Sequence, residues 1–295
     1  MDFFPYNYPL FRPPSEAYSL IFQITIGCSR NQCTFCGMYK DKIFRLRSVA
    51  EIIVEMQRVP AAFRQRIQRV FLADGDALVY PQAGLEEILA ALRETFPNLR
   101  RVGSYASPAS LAGKDFEELR RLRQQKLRIL YFGLESADPA TLQAINKGFS
   151  AEAMLEQCRK AQSSGLKLSV TAILGLAGKR RSLEHARATG RWITALSPAY
   201  FSLLTLFVRR NDDFLRTIQP LSRGEILEEA QELLLHLAPE KTILRSNHVS
   251  NFIHLAGSYP KDRQRLLVEI ELAIRRGRQR PDWYNQVPDY LEDRY

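Results

Sequence analysis

Strand-like and helix-like segments alternate along almost the whole chain. Six β-branched, apolar runs are predicted to be strands, and the segments between them carry the apolar spacing that is typical of helices. Because a strand–helix–strand order joins parallel strands by right-handed crossovers, it predicts an α/β protein with a parallel sheet. The predicted strands are residues 20–26, 68–73, 100–105, 127–134, 167–174 and 199–207, with a weaker seventh at 242–245.

The number of strand–helix units predicts an incomplete barrel. Six clear units are fewer than the eight of a closed barrel, so we expect a partial (βα)6 TIM-like barrel with a C-terminal helical extension. An open, doubly wound sheet is the competing arrangement. The predicted organisation is an extended N-terminal cover at 1–19, a core at 20–207 and a mostly helical extension at 208–295.

The charge of the chain bears on its partners. Its 295 residues carry a formal net charge of +10, and basic side chains are concentrated in two stretches. These stretches could bind nucleic acid such as tRNA, but they contain no interleaved aromatic residues, and solvated helix faces explain them better. The two stretches are Arg120, Arg121, Arg123, Lys126 and Arg128, and Arg275, Arg276, Arg278 and Arg280.

Cysteine usage and hydropathy predict the compartment. Apolar runs are too short to span a bilayer, so no membrane partner is expected. Three of the four cysteines are clustered, which is unlike a disulfide framework, and thiolate ligands persist best in a reducing compartment. We therefore expect a cytoplasmic protein.

A loop directly after the first predicted strand carries three cysteines. Cys28, Cys33 and Cys36 have the spacing C-x4-C-x2-C. Three thiolates can each hold one iron of a [4Fe-4S] cubane and leave the fourth iron without a protein ligand. A [2Fe-2S] centre or a structural zinc would need a fourth ligand, and the remaining cysteine, Cys158, lies in a predicted helix far along the chain.

The cysteine loop resembles that of the radical S-adenosylmethionine (radical SAM) superfamily, including the aromatic Phe35 before the last cysteine. The resemblance extends from about residue 20 to residue 207 and is nearest to the branch of oxygen-independent coproporphyrinogen oxidases and tRNA-modifying enzymes. It implies an enzyme in which a [4Fe-4S] cluster on Cys28, Cys33 and Cys36 binds S-adenosylmethionine (SAM). It also implies reductive cleavage of SAM to a 5′-deoxyadenosyl radical that abstracts hydrogen from an unidentified small-molecule substrate.

Further positions carry the resemblance and predict contacts to SAM. Asp74, Gly75 and Asp76 stand where the family has its Gly-Gly-Glu motif, whose backbone meets the methionyl amine. Glu135 corresponds to the residue that binds the ribose hydroxyls, and Lys147 to a cation that pairs with the methionyl carboxylate. The remaining predicted contacts are Thr171 near the ribose and Ile173 in the segment beside adenine. Phe35 is expected to shield the cluster or the adenine side.

Two positions outside these motifs are candidate catalytic residues. His248 lies in the polar cluster 247–251, and its imidazole has the right ordinary pKa for proton transfer; a hydrogen-bonded turn is the equally weighted alternative. Arg209 follows the sixth predicted strand and could bind a carboxylate or phosphate.

The resemblance also bears on partners and on other function classes. It implies a reductant such as flavodoxin or ferredoxin. Two alternatives stay open: an iron–sulfur, haem-handling or electron-transfer protein without radical turnover, and a tRNA-modifying radical enzyme.

Overall fold

The computed structural model describes residues 4–208 and 211–290. Within them the chain forms two compact units, each containing strands and helices. The first unit comprises residues 4–31, 39–132 and 157–168, and the second comprises 32–38, 133–156 and 169–290. The division into 1–19, 20–207 and 208–295 stays a prediction.

The secondary structure follows the predicted alternation. The strands are β1 (Leu20–Gln23), β2 (Thr25–Ile26), β3 (Arg45–Leu46), β4 (Arg69–Ala73), β5 (Arg101–Ala106), β6 (Leu127–Glu135), β7 (Lys167–Leu174), β8 (Tyr200–Thr205), β9 (Ile243–Ser246) and β10 (Leu255–Ser258). The helices are α1 (Val49–Arg58), α2 (Ala61–Arg64), α3 (Gln82–Thr95), α4 (Pro108–Ala112), α5 (Phe116–Gln124), α6 (Pro139–Ala144), α7 (Ala151–Ser163), α8 (Gly178–Leu196), α9 (Asp212–Thr217), α10 (Arg223–Leu235), α11 (Arg263–Arg278) and α12 (Pro281–Asn285).

In the first unit, β1, β4, β5 and the first part of β6 pair in parallel in that order. The strands are buried on both faces, as parallel sheets usually are. Short capped helices follow the strands: Ser48 and Glu51 form a capping box at the start of α1, and Asp115 and Glu118 form one at the start of α5.

In the second unit, β7, β8 and β9 pair in parallel, and β10 joins β9 in the antiparallel sense. Burial alternates along these strands, so one face is fully buried and the other is partly exposed. The long helix α8 and the capped helix α10 carry buried apolar side chains in this unit.

The observed elements confirm the α/β class and refine several boundaries. The strand predicted at 20–26 is two strands, because at Ile24 the chain turns from pairing with β4 to pairing with β3: its N–H donates to Ala73 and its carbonyl accepts from Arg47. The weak seventh strand is present as β9. The small residues of β10 gave no strand signal, and this strand was not predicted.

Candidate active site

The turn after β4 lies beside Cys28 in the first unit. The N–H of Gly75 donates to the carbonyl oxygen of Gly27 at 3.2 Å. A Cβ added to Gly75 would lie 3.1 Å from the Cβ of Cys28 and 2.6 Å from the ring of Tyr39. Only glycine therefore lets the backbone of this turn approach the first cysteine so closely.

Asp74, the first residue of that turn, holds both flanks of the cysteine loop. Its Oδ2 accepts hydrogen bonds from the N–H of Gly27 at 3.0 Å and from Nζ of Lys42 at 2.9 Å, and also from the side chain of Gln23. The Asp74 and Lys42 side chains are only 0% and 3% exposed. Burial raises the pKa of Asp74, and the bonds from Lys42 and Gly27 oppose that rise.

Asp76, the last residue of the turn, joins two neighbouring segments. Its carboxylate accepts from the hydroxyl of Ser29, which follows Cys28, and from the N–H and hydroxyl of Ser107 at 2.9 and 2.7 Å. Ser107 is the N-cap of α4. Both carboxylate oxygens of Asp76 are therefore engaged by the protein itself.

In the second unit, the cysteine loop is fastened to the end of α6. Thr34 donates from its N–H to the carbonyl of Ile145 at 3.0 Å and from its hydroxyl to Ala144 at 3.1 Å. The side chain of Asn146 donates to the carbonyl of Gln32 at 3.2 Å. The residues around Cys33 and Cys36 are thus held next to the segment that carries Lys147.

Glu135 and Lys147 form an ion pair near Cys36. Nζ of Lys147 lies 3.3 Å from Oε1 of Glu135, and their side chains are 8% and 14% exposed. Glu135 has a φ of 64°, a left-handed conformation that is uncommon for residues other than glycine and that clusters at functional sites. Its carboxylate folds over Gly133, where a Cβ would overlap Oε1. The resemblance that predicts the role of Glu135 covers residues 133–136, and the structure adds the reason for the glycine at position 133.

Cys36 is electrostatically linked to this pair. Burial is the main cause that raises the pKa of the Cys36 thiol to about 11; Cys33 and Glu135 add to the rise, while the backbone of Met38 and the cation of Lys147 oppose it. All three loop cysteines are half-buried and outside disulfides. In its chemistry, the donor set of the loop suits a cluster that takes three thiolates from the protein and leaves one iron for another ligand.

Phe35 is buried in the second unit and packs edge to face with Phe214, at a ring-centroid separation of 6.2 Å. This contact holds the ring of the residue that directly precedes Cys36 in the chain. Asn211 also donates to the carbonyl of Thr34, so α9 and the residue before it contact the loop.

Thr171 and Ile173 lie on the partly exposed face of β7. The turn that follows β7 is hydrogen-bonded to a side chain of α10. The N–H of Gly175 donates to Oε1 of Glu229 at 2.7 Å. Burial raises the pKa of Glu229 to about 7 and lowers the pKa of the neighbouring His185 to about 4. Glu229 carried no signal in the sequence, because it lies 54 residues beyond Gly175 on an amphipathic helix.

The polar cluster 247–251 is a turn that is hydrogen-bonded to the end of β8. The N–H of Thr205 donates to the hydroxyl of Ser250 at 3.1 Å, and Nδ2 of Asn251 donates to the carbonyl of Leu203 at 2.8 Å. His248 contacts Ser250 at 2.9 Å, and burial lowers the pKa of its imidazole. Arg209, the other candidate catalytic residue, lies outside the described residues.

Comparison with known families decides the class of the protein. The sequence pattern of the Radical SAM superfamily matches residues 22–188, which is more than half of the chain. The chain belongs to the radical SAM superfamily. Radical SAM enzymes use a [4Fe-4S] cluster and SAM, so the protein is an enzyme of this class with these cofactors.

Individual radical SAM relatives match parts of the chain. A "probable dual-specificity RNA methyltransferase RlmN" of Picosynechococcus sp. is 28% identical over 180 residues, 59% of this chain and 50% of that protein. The chain thus spans half the length of this curated relative.

Solved structures show the same fold. Coproporphyrinogen III oxidase (HemN) from Escherichia coli matches with a TM-score of 0.56 and 18% identity, over 74% of this chain and 51% of the other. Methylornithine synthase (PylB) matches with a TM-score of 0.53 and 15% identity, over 86% and 81%. The fold is therefore the α/β, partial TIM-like barrel type that the sequence predicted. Among the described residues, no helix has the length and apolarity to cross a membrane.

Proposed function

We propose that Cys28, Cys33 and Cys36 hold the [4Fe-4S] cluster and that the enzyme acts on a small-molecule substrate by hydrogen abstraction. When bound, the cluster supplies the electron that cleaves SAM reductively to a 5′-deoxyadenosyl radical. The observation that carries the proposal is the Glu135–Lys147 pair next to Cys36, in the order after the cysteines that the family resemblance implies.

Glu135 and Lys147 bind opposite ends of SAM in this proposal. Lys147 pairs with the methionyl carboxylate, and Glu135 accepts hydrogen bonds from the ribose hydroxyls. Because both side chains are largely buried, they satisfy each other in the ligand-free protein and exchange that contact for contacts to SAM. Gly133 keeps the space into which Glu135 folds.

The turn Asp74-Gly75-Asp76 contributes its backbone rather than its carboxylates. Asp74 is committed to Lys42 and Gly27, and Asp76 to Ser29 and Ser107. The backbone beside Gly75 is the part of the turn that faces Cys28, which supports assigning to it the contact with the methionyl amine. Thr171 and Ile173 contact the ribose and adenine side, and Phe35 shields the cluster or the adenine side.

Anaerobic turnover tests the proposal. Protein reconstituted with iron and sulfide is reduced with dithionite or with flavodoxin or ferredoxin, supplied with SAM, and assayed for 5′-deoxyadenosine. A variant with all three loop cysteines replaced by alanine is the control. We expect 5′-deoxyadenosine from the wild type only. Cluster-loaded protein that binds SAM but forms none would support an iron–sulfur, haem-handling or electron-transfer protein instead.

An RNA-modifying activity is a second candidate, favoured by one observation: the curated relative is named as an RNA methyltransferase. The basic stretches give it limited support, since several of their arginines are neutralised within the protein. Arg120 and Arg121 pair with Glu117 and Glu86, and Arg278 pairs with Glu228. Binding of bulk tRNA at increasing salt tests it, and a steep loss of affinity with salt would support a phosphate-contacting surface.

His248 and Arg209 are proposed to act on the substrate rather than on SAM. His248 lies at the carboxyl end of β9, where chemistry is concentrated in folds of this kind. Burial lowers the pKa of its imidazole, and its Nδ1 accepts a hydrogen bond from the N–H of Ser250 at 3.2 Å.

A further inference from the structure

The second unit has a sheet face that its own helices leave uncovered. Ala172 of β7, Leu203 of β8 and Leu244 of β9 are completely buried. The residues on either side of each one in its own strand are partly or fully exposed. Helix α11 packs on the buried side, where a Cβ at Gly257 would lie 3.0 Å from the side chain of Leu266. Parallel strands are ordinarily covered on both faces, so an open face is a place for a ligand.

A row of polar side chains crosses this open face. Thr171 of β7 is in register with Ser202 of β8, and Ser202 is in register with Arg245 of β9. The next residue in the row, on β10, is Ala256, which has no side chain long enough to cover a guanidinium. Residues in register on neighbouring strands share a face, so two hydroxyls and a guanidinium lie side by side.

Within residues 4–208 and 211–290, none of these three groups is bonded to another side chain. Among the described residues, the side-chain bond of Arg245 goes to the carbonyl of Leu244, the preceding residue, at 3.0 Å, and no carboxylate pairs with it. The hydroxyls of Thr171 and Ser202 have no hydrogen-bond partner within the same described part of the chain. By contrast, the half-buried Arg181 makes two bonds to the carboxylate of Asp138.

We propose that Arg245, with Ser202 beside it, binds the carboxylate or phosphate of a small-molecule substrate. The proposal rests on the proposed function, which puts the SAM ribose at Thr171. Two strand spacings separate Thr171 from Arg245, which is about 10 Å. This span suits a substrate whose anionic group sits at Arg245 while its reacting carbon approaches SAM.

The charge pattern favours a small anion over a polyanion. In the registered stretches of β7, β8, β9 and β10, Arg245 is the one charged side chain. A single planar guanidinium matches one carboxylate or phosphate in a bidentate fashion, whereas nucleic acids are bound through many phosphate contacts.

The position of Arg245 is fixed by its neighbours. β9 is paired on both sides, and the turn that follows it is bonded to β8 through Ser250 and Asn251. Asn251 also donates to the hydroxyl of Ser246, the residue after Arg245, at 3.0 Å. The backbone at Arg245 therefore needs little ordering when an anion binds to its side chain.

Binding of two probe anions to the cluster-loaded enzyme with SAM tests the proposal. Inorganic phosphate and glutarate are titrated calorimetrically into the wild type, Arg245→Gln and the control Arg275→Ala, whose arginine is exposed and paired with Glu271. We expect at least one probe to bind the wild type and to bind Arg245→Gln about ten-fold or more weakly, with no change in Arg275→Ala. Phosphate binding alone would indicate a phosphate ester, and glutarate binding a carboxylate.

A labelling experiment covers the case in which the variant does not fold. Phenylglyoxal modification of the wild type is followed at each arginine by peptide mass spectrometry, and the binding probe should protect Arg245 but not Arg275. Absence of binding by both probes, equal binding by Arg245→Gln, or protection of both arginines alike would overturn the proposal. Binding of tRNA that is lost in Arg245→Gln would overturn it in favour of RNA.

The failure of this proposal is distinguishable from failure of the proposed function. Formation of 5′-deoxyadenosine by the wild type is measured on the same preparation. If it forms while the anion experiments fail, only the role of Arg245 is wrong; if it does not form, the SAM chemistry is wrong.

Discussion

Lys147 and Glu135 meet 3.3 Å apart over a glycine, Gly133, whose missing side chain leaves room for the Glu135 carboxylate. The pair also influences Cys36: Glu135 contributes to raising the pKa of its thiol and Lys147 to lowering it. One glycine thus determines where the two charged residues next to the cysteine loop can lie.

Replacing Gly133 by alanine is expected to weaken SAM binding. The added Cβ would overlap Oε1 of Glu135 and displace the carboxylate from Lys147. Loss of a charge-assisted contact of this kind costs about 1.5–3 kcal/mol, or roughly ten-fold or more in affinity. Equilibrium dialysis of the cluster-loaded protein with labelled SAM measures the affinity for SAM. Gly113→Ala is the control, because a Cβ there would meet only backbone oxygens at 3.4 and 3.9 Å. Equal SAM affinity in both variants would contradict the role of Gly133.

The three loop cysteines are expected to behave differently from Cys158. Cys33→Ala should abolish the brown colour and most of the bound iron after reconstitution, because one iron loses its thiolate. Cys158→Ala should keep full iron content, since Cys158 is a completely buried residue of α7 in the protein interior. Iron and sulfide analysis with the visible absorption spectrum checks both variants. Full iron content in Cys33→Ala would rule out this ligand set.

Removing the carboxylate of Asp74 is expected to destabilise the protein strongly. Asp74→Asn leaves the buried ammonium of Lys42 without its counter-charge, which costs about 3 kcal/mol or more. The double variant Lys42→Met/Asp74→Asn should recover part of this loss, since no unpaired charge then stays buried. Urea unfolding of the metal-free protein gives both values. Arg120→Gln, which breaks a half-exposed pair with Glu117, should cost less than about 1 kcal/mol. A similar cost for both pairs would show that Lys42 is not paired as described.

Stability is expected to depend on pH through Glu229. Burial raises the pKa of this carboxyl from 4.5 to about 7, so the folded protein keeps the proton that the unfolded chain loses. Its stabilising contribution is complete below pH 4.5 and is lost as the pH rises through 7, with a total of about 3 kcal/mol. Glu229→Gln should remove this slope, while both proteins share the opposite contribution of His185. Urea unfolding of both proteins between pH 5 and 8 measures this slope. Parallel profiles of unfolding free energy against pH would refute the raised pKa of Glu229.

The fold was largely predictable because its signals are local. β-Branched runs marked the parallel strands, and Ser48 with Glu51 marked the start of α1. β10 escaped prediction since its Ala, Gly and Ser residues owe their strand conformation to pairing with β9. Helix α8 begins at Gly178 and has a kink at Arg181, which no local sequence signal marked.

The site was predictable in its chemistry but less so in its contacts. The cysteine spacing indicated the cluster, and the order of Glu135 and Lys147 after it indicated SAM contacts, which stay predictions. The buried pair of Lys42 with Asp74, by contrast, is visible only in the structure. Such pairings depend on tertiary distances between residues far apart in sequence. The same holds for Glu229 with Gly175 and for the row that ends in Arg245.

The two flanks of the cysteine loop are tied to one buried carboxylate, that of Asp74, through Gly27 and Lys42. These ties consist of protein atoms alone, so the ends of the loop keep their places in the apoprotein. Loss of iron to oxygen would then leave the ends of the loop assembled, so that a new cluster could be built without refolding this part of the chain.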